Sequence, residues 1–233
     1  SFSLVDAQNN FYVFLDSYSD KNNYSFDGVN NNSTPGGDTV MLKFDSSGKI
    51  ILGKNFYANN SSYFGASAKL TDGLFDGNNI ILLGYFTSGS RTSNFLGLNN
   101  TVITRKYPTV YNQGLLAKID VLANLIWEKP LFSNFNVDTG VYTNLNIDSD
   151  KNIYSYIYFK DKLAIDNIEY QFDNSNGNKV ITKFDTEGNL QYLNPVDDFK
   201  NTSNSSDYSS TMIDVLSNDV FNDFIGAEII ADQ

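Results

Sequence analysis

The chain has neither cysteine nor histidine in its 233 residues. Without cysteine there is no disulfide, no thiolate nucleophile, no iron–sulfur cluster and no zinc-finger site. Without histidine there is no Ser-His-Asp triad, no imidazole general base and no imidazole ligand for iron, copper or zinc. A metal ion here would be held by oxygen, which points to calcium or magnesium. Basic residues are scarce as well: 16 Lys and Arg stand against 27 Asp and Glu, for a net charge of −11. That balance argues against a nucleic-acid partner, because phosphate backbones are won by clustered Lys and Arg. No run reaches the ~18 apolar residues of a membrane span, so no transmembrane segment is expected. The opening SFSLVDAQNNF lacks a basic start and a signal-type apolar stretch. For a secreted protein, the targeting segment would then lie outside this chain.

Asparagine is abundant, at 32 residues, and aromatics make up 15% of the chain. With 41% hydrophobic residues the chain can bury a sizeable core. The Asn/Ser stretches at 30–34, 59–62 and 201–206 are short and lie between strand-like runs, so they read as loops. One motif recurs three times: TVMLKFDSSGKIILGKNF (39–56), LLAKIDVLANLIWEKPLF (115–132) and VITKFDTEGNLQYLNPV (180–196). Its lysine falls at Lys43, Lys118 and Lys183, with spacings of 75 and 65. A second motif precedes each copy, anchored at Asn10, Asn79 and Asn152, with a weaker fourth copy at Asp219 in SNDVFNDFIG (217–226). Two motifs in constant order with a period near 70 indicate a repeat array. The repeats span about 1–64, 65–138 and 139–209, with a partial fourth at 210–233.

Each first-type motif has hairpin chemistry. Asp45-Ser46-Ser47-Gly48 and Asp185-Thr186-Glu187-Gly188 link β-rich runs; Asp closes its own turn and Gly supplies a positive φ. Ala123 replaces that glycine in the middle copy and, in a left-handed backbone, costs on the order of 1 kcal/mol; a different turn there is the alternative. Val40, Leu42 and Phe44 share one strand face, with Met41 and Lys43 opposite, so both faces carry apolar groups. Two-sided burial suits a sheet sandwiched between neighbouring sheets. No stretch holds a helical apolar stripe over three turns, so the expected fold is all-β. Each repeat reads as four antiparallel strands, in the third at about 141–148, 151–159, 179–185 and 189–193. Long connections at about 17–38, 87–113 and 160–178 carry further extended pieces such as 167–171. The expected architecture is part of a β-propeller of about 3.5 blades; a β-sandwich or a solenoid is the alternative.

The order D-x-x-[GN]-N-x-Y followed by D-x-[FV]-[VL]-x-K-[FY]-D-x-x-G-[NK]-[IL] resembles the β-propeller repeats of the SBBP type, found in bacterial surface and secreted proteins. Asp6, Asn10 and Tyr12, then Asp38, Val40, Lys43, Phe44, Asp45, Gly48 and Ile50, carry it in the first repeat. Lys118, Asp120, Asn124, Leu125 and Trp127 carry it in the second. Asp150, Asn152, Tyr154, Lys183, Phe184, Asp185, Gly188 and Leu190 carry it in the third. The resemblance implies blades and a surface or extracellular setting. It names no active site, because these are turn-and-strand signatures. A closed ring needs about four to eight blades, so the missing ones would come from a longer chain or from other subunits.

Five groups of residues are candidates for chemistry. Asp148, Asp150 and Asn152 form a D-x-D-x-N run able to ligate calcium, although it lacks the Gly and Glu of an EF-hand loop. The plainer reading is a polar turn. Asp6, Asp45, Asp120, Asp148 and Asp185 could supply paired carboxylates for glycoside chemistry, but their recurrence in each repeat favours turn residues. Lys43, Lys118 and Lys183 could contact a ligand, or pair with a carboxylate while their stems cover apolar surface. Tyr154, Tyr156, Tyr158, Phe159 and Trp127 could stack on a glycan, with packing between blades as the plainer reading. N-x-S/T sequons occur at Asn23, Asn31, Asn32, Asn59, Asn60, Asn99, Asn201 and Asn204, a weak excess for this composition.

The sequence therefore points to a non-enzymatic, extracellular or surface module for recognition or assembly. Its partners would be other subunits, the remainder of a longer chain, or a glycan. One alternative is a carbohydrate-active enzyme using non-repeated acids such as Glu169, Glu187, Asp197 and Asp198. Another is an architectural spacer in a filament or long surface protein.

Overall fold

The computed structural model describes residues 1–17, 24–26, 29–31, 38–56, 67–87, 95–98, 102–104, 106–107, 112–133, 145–159, 162–166, 168–171 and 178–195. These residues form strands and turns, and none forms a helix able to cross a membrane. The partial fourth repeat, Asp197 and Asp198, and the sequons at Asn23, Asn32, Asn59, Asn60, Asn99, Asn201 and Asn204 lie outside them.

The first sheet has the order β1 (Phe2–Val5), β2 (Phe11–Ser17), β5 (Asp38–Phe44) and β6 (Ile50–Phe56). The third has β13 (Leu145–Ile147), β14 (Ile153–Phe159), β17 (Asn178–Phe184) and β18 (Leu190–Pro195) in the same arrangement. The four strands expected for the third repeat are therefore present at the expected places. The second sheet contains β7 (Ser67–Asp76), β8 (Asn79–Thr87), β11 (Asn112–Asp120) and β12 (Leu125–Ser133). All neighbouring pairs are antiparallel.

The long connections carry hairpins of their own: β3 (Tyr24–Phe26) with β4 (Val29–Asn31), β9 (Phe95–Leu96) with β10 (Val102–Ile103), and β15 (Lys162–Ile165) with β16 (Ile168–Gln171). The last of these departs from the repeat plan. It leaves its own sheet and extends the second one, pairing Phe132 with Ala164 and Ser133 with Leu163, so that the second sheet has six strands. The third repeat in sequence thus reaches into the second sheet in space.

The sheets stack face to face. Tyr12, Phe14, Met41 and Phe56 of sheet 1 pack on Ile80, Leu82, Leu115, Ala117 and Ile119 of sheet 2. Ile81, Leu83, Tyr85 and Leu116, on the other face of sheet 2, pack on Ile153, Ile157, Val180 and Phe184 of sheet 3. Leu163 and Ile165 of the β15–β16 strap join this second core. Alternation explains the arrangement: successive residues of β8 point to opposite faces, and both faces find a neighbour. All eight of these Ile81-face and Ile153-face residues are buried, at roughly 1.5–3 kcal/mol for each large side chain.

At one edge β7 lies against both β1 and β13. Two hydrogen bonds fix that edge: Leu70 N–H donates to Thr39 Oγ1 (3.1 Å), and Leu145 N–H donates to Asp72 Oδ2 (2.9 Å).

Candidate functional site

The repeated aspartates build one turn five times. Asp6, Asp45, Asp120, Asp148 and Asp185 each donate the backbone N–H to the carbonyl four residues on, and each carbonyl accepts from the N–H three residues on. The residue at the third place has a left-handed backbone in every copy: Asn9 (φ 62), Gly48 (84), Ala123 (63), Lys151 (70) and Gly188 (78). The middle copy therefore keeps the common turn and bears the strain of Ala123, as one of the two expectations had it. Glycine is the easiest residue here, and Asn tolerates the conformation through its own short side chain.

Each aspartate closes its turn with its side chain. Asp148 Oδ1 accepts from the N–H groups of Asp150 (2.9 Å) and Asn152 (2.8 Å). Its Oδ2 accepts from Asn152 Nδ2 (2.7 Å) and Tyr154 Oη (3.0 Å). Asp6 repeats all four bonds, with Gln8, Asn10 twice, and Tyr12. Asp120 and Asp185 repeat the first three, and Asp45 binds Ser47 and Lys49. In Asp6, Asp120, Asp148 and Asp185 partial burial pushes the carboxyl up, but the hydrogen bonds outweigh it and hold each below the ordinary aspartate value. In Asp45 the Ser47 hydroxyl is the largest cause of the same lowering. These groups are fixed acceptors at neutral pH and poor proton donors.

The calcium candidate lies in the fourth of these turns. Asp148 and Asn152 bond to each other, while Asp150 contributes its N–H and keeps an exposed side chain. Among the described residues no three acidic side chains gather in a metal-holding group.

The motif lysines differ between copies. Lys43 Nζ lies over the Tyr12 ring, 4.8 Å from its centroid, and Lys183 Nζ over the Tyr154 ring at 5.5 Å. The carboxylate is one step further, bonded to the tyrosine hydroxyl. Burial together with that carboxylate raises both phenols above the ordinary tyrosine value. In the second repeat the tyrosine position is Ile81, and Lys118 turns elsewhere. It donates to Asp76 Oδ2 (2.7 Å), both groups being under a tenth exposed, and to the Thr186 carbonyl of sheet 3 (3.2 Å). Lys118 thus meets the expectation of a direct carboxylate partner.

The aromatic candidates divide between packing and surface. Trp127 Nε1 donates to the same Thr186 carbonyl (3.1 Å), and its ring covers Gly188. Tyr154 is buried and Tyr156 half-buried; the side chains of Tyr158 and Phe159 lie outside the description. Glu169 lies on the exposed strand β16, where Lys162 (2.8 Å) and Tyr107 (3.0 Å) donate to it. Glu187 accepts from Thr186 Oγ1 within a turn.

A part-propeller is expected to leave one blade face exposed, but sequence reasoning did not name its residues; among the described residues that face belongs to sheet 1. Val5 (54% exposed), Phe11 (42%) and Leu15 (36%) stand on it. Phe11, Val13, Phe44, Asp45, Ser46 and Gly48 line most of an open depression of about 430 Å3 there. The signal was present in the equal apolar character of both faces of the end sheet. No protein-family model matches the chain, and no protein of curated function matches it.

Proposed function

We propose that this chain is a non-enzymatic surface or extracellular module, part of a β-propeller of SBBP-type repeats, that works by assembling with other protein. The observation that carries this reading is the fate of the five repeated carboxylates. Each is used up in closing its own turn, so the most conspicuous acids of the chain are structural. Apolar surface, by contrast, remains on an end face. Exposed contiguous apolar surface rimmed by polar turns is a mark of protein contacts. Three face-stacked sheets with β1, β7 and β13 gathered at one edge support the propeller part, because propeller blades set their first strands around a common axis. The long connections carry their own hairpins and offer loops for recognition.

Labelling of intact and permeabilised source cells with an antibody to the chain tests the setting. Equal signal on both is expected, and signal only after permeabilisation would sink the surface assignment. Hydrolysis of a glycoside panel, lost in Asp148→Asn or Asp185→Asn chains that remain folded, would overturn the non-enzymatic assignment.

A further inference from the structure

The two internal junctions share one construction. In each, the residue paired across the strand with the motif lysine meets the Asp turn of the next sheet. The register pairs Lys43 with Leu52, Lys118 with Trp127 and Lys183 with Tyr192. Across the first junction, Leu52 packs in the same core as Val121 and Ala123 of the sheet-2 turn. Across the second, Lys118 and Trp127 both donate to the Thr186 carbonyl, and a Cβ built on Gly188 would lie 3.0 Å from the indole.

The same recess exists a third time and, among the described residues, is open. Phe11, Val13, Phe44, Ser46 and Gly48 of sheet 1 hold the places that Ile153, Ser155, Phe184, Thr186 and Gly188 hold in sheet 3. In sheet 1 they line the open depression, and a Cβ on Gly48 meets nothing within 4 Å. Burial makes the same point. Ile80 and Ile153, at the Phe11 position, are fully buried, whereas Phe11 is 42% exposed. At the opposite end of the stack, Met41 and Leu116 are fully buried, whereas their counterpart Ile181 is only half-buried. The described sheets therefore end in two unlike faces, each the complement of the other by the rule the internal junctions follow.

We propose that the Phe11 face of sheet 1 is a docking site for the Ile181 face of sheet 3 of a second copy of this chain. The contact is head to tail, so it uses different surfaces on the two copies. Reciprocal docking of two copies places six of the described sheets around one axis, within the four to eight of closed propellers. The inference rests on the assembly reading above and names its partner.

The test uses the full chain and reads mass by light scattering across a dilution series. The wild type is expected at twice 26.0 kDa. Phe11→Asp and Ile181→Asp each put a charge into the junction and should weaken association by about 100-fold or more, with circular dichroism unchanged. Should Phe11→Asp fail to fold, Val5→Glu at its more exposed position carries the same arm. Mixing the Phe11→Asp and Ile181→Asp chains is the decisive step, because each retains the face the other has lost. Recovery of a mixed dimer is expected. A wild-type monomer at every concentration overturns the inference, whether the chain's own residues or nothing cover the face. So does a dimer that both substitutions leave intact, or a mixture that stays monomeric. A monomer would still leave the surface assignment to the cell labelling, so the two readings fail separately.

Discussion

The two junctions hold the same recess with different chemistry. Between sheets 1 and 2 the filling is aliphatic, with Leu52 against Val121 and Ala123, and the lysine stays on its own sheet above Tyr12. Between sheets 2 and 3 the filling is polar and aromatic, with Lys118 and Trp127 converging on one carbonyl. The difference traces to the second repeat's shorter turn. Asp76-Gly77-Asn78-Asn79 closes a two-residue hairpin, with Gly77 at φ 61, in place of the longer Asp turn. That turn puts no carboxylate at the Asp6 position. It offers Asp76 instead, and Ile81 supplies no ring, so Lys118 reaches Asp76 and then across the junction. A packed repeat interface is set by geometry first and tolerates a change of chemistry within it.

The sharpest way to break the comparison is at the lysines. Lys118→Ala leaves the buried Asp76 with the half-exposed Lys151, 3.7 Å away, as its remaining ion pair and should cost about 3 kcal/mol in urea unfolding. Lys43→Ala removes only a cation over a ring and should cost about 1 kcal/mol. Equal losses would mean that the two junctions are not chemically distinct. Next comes the covered against the bare face. Ile81→Ala should cost about 2–5 kcal/mol, while Ile181→Ala, measured where the chain is monomeric, should cost less than half as much. A third pair uses the turns. Gly188→Ala adds a contact with Trp127 to the left-handed strain and should cost about 2 kcal/mol. Gly48→Ala meets only the strain and should cost about 1 kcal/mol in the monomer. Thermal melts of the pair would decide it.

The smallest effect is in acid. The turn aspartates have folded values lowered below the ordinary 3.8. A lowered folded value means that the native state holds its protons less readily than the unfolded chain. The stabilisation is complete above pH about 4 and is lost as pH falls through the folded values. Stability measured from pH 6 to pH 2 should therefore drop mainly below about 4. Asp148→Asn should blunt that drop and cost about 1 kcal/mol at neutral pH. An unchanged acid profile would remove Asp148 from the argument.

The strands and turns were legible because their signals are local. Asp45 to Gly48 and Asp185 to Gly188 announce hairpins within four residues, and the alternation in TVMLKF and VITKF marks two covered faces. The left-handed places at Asn9 and Lys151 were less visible, since only comparison with Gly48 and Gly188 reveals them. The hairpin of β15 and β16 could be anticipated from the polar residues between its strands, yet its partner could not. Nothing local to Lys162–Ile165 says that it pairs with Phe132 and Ser133. Lys118 was legible as a pairing lysine but not as a bridge, because Thr186 is 68 residues away.

That strap also sets a timetable. Strand β12 is complete at Ser133, but the strand that covers the end of its edge begins only at Lys162. At ribosomal rates of about 5–20 residues per second, the edge waits for a few seconds during synthesis. An open strand edge invites pairing with a neighbouring nascent chain. Glu128, Lys129 and Pro130 occupy the stretch just before the covered pair, two charges and a residue with no N–H to offer. The chain thus carries its own guard for the interval in which the strap does not yet exist.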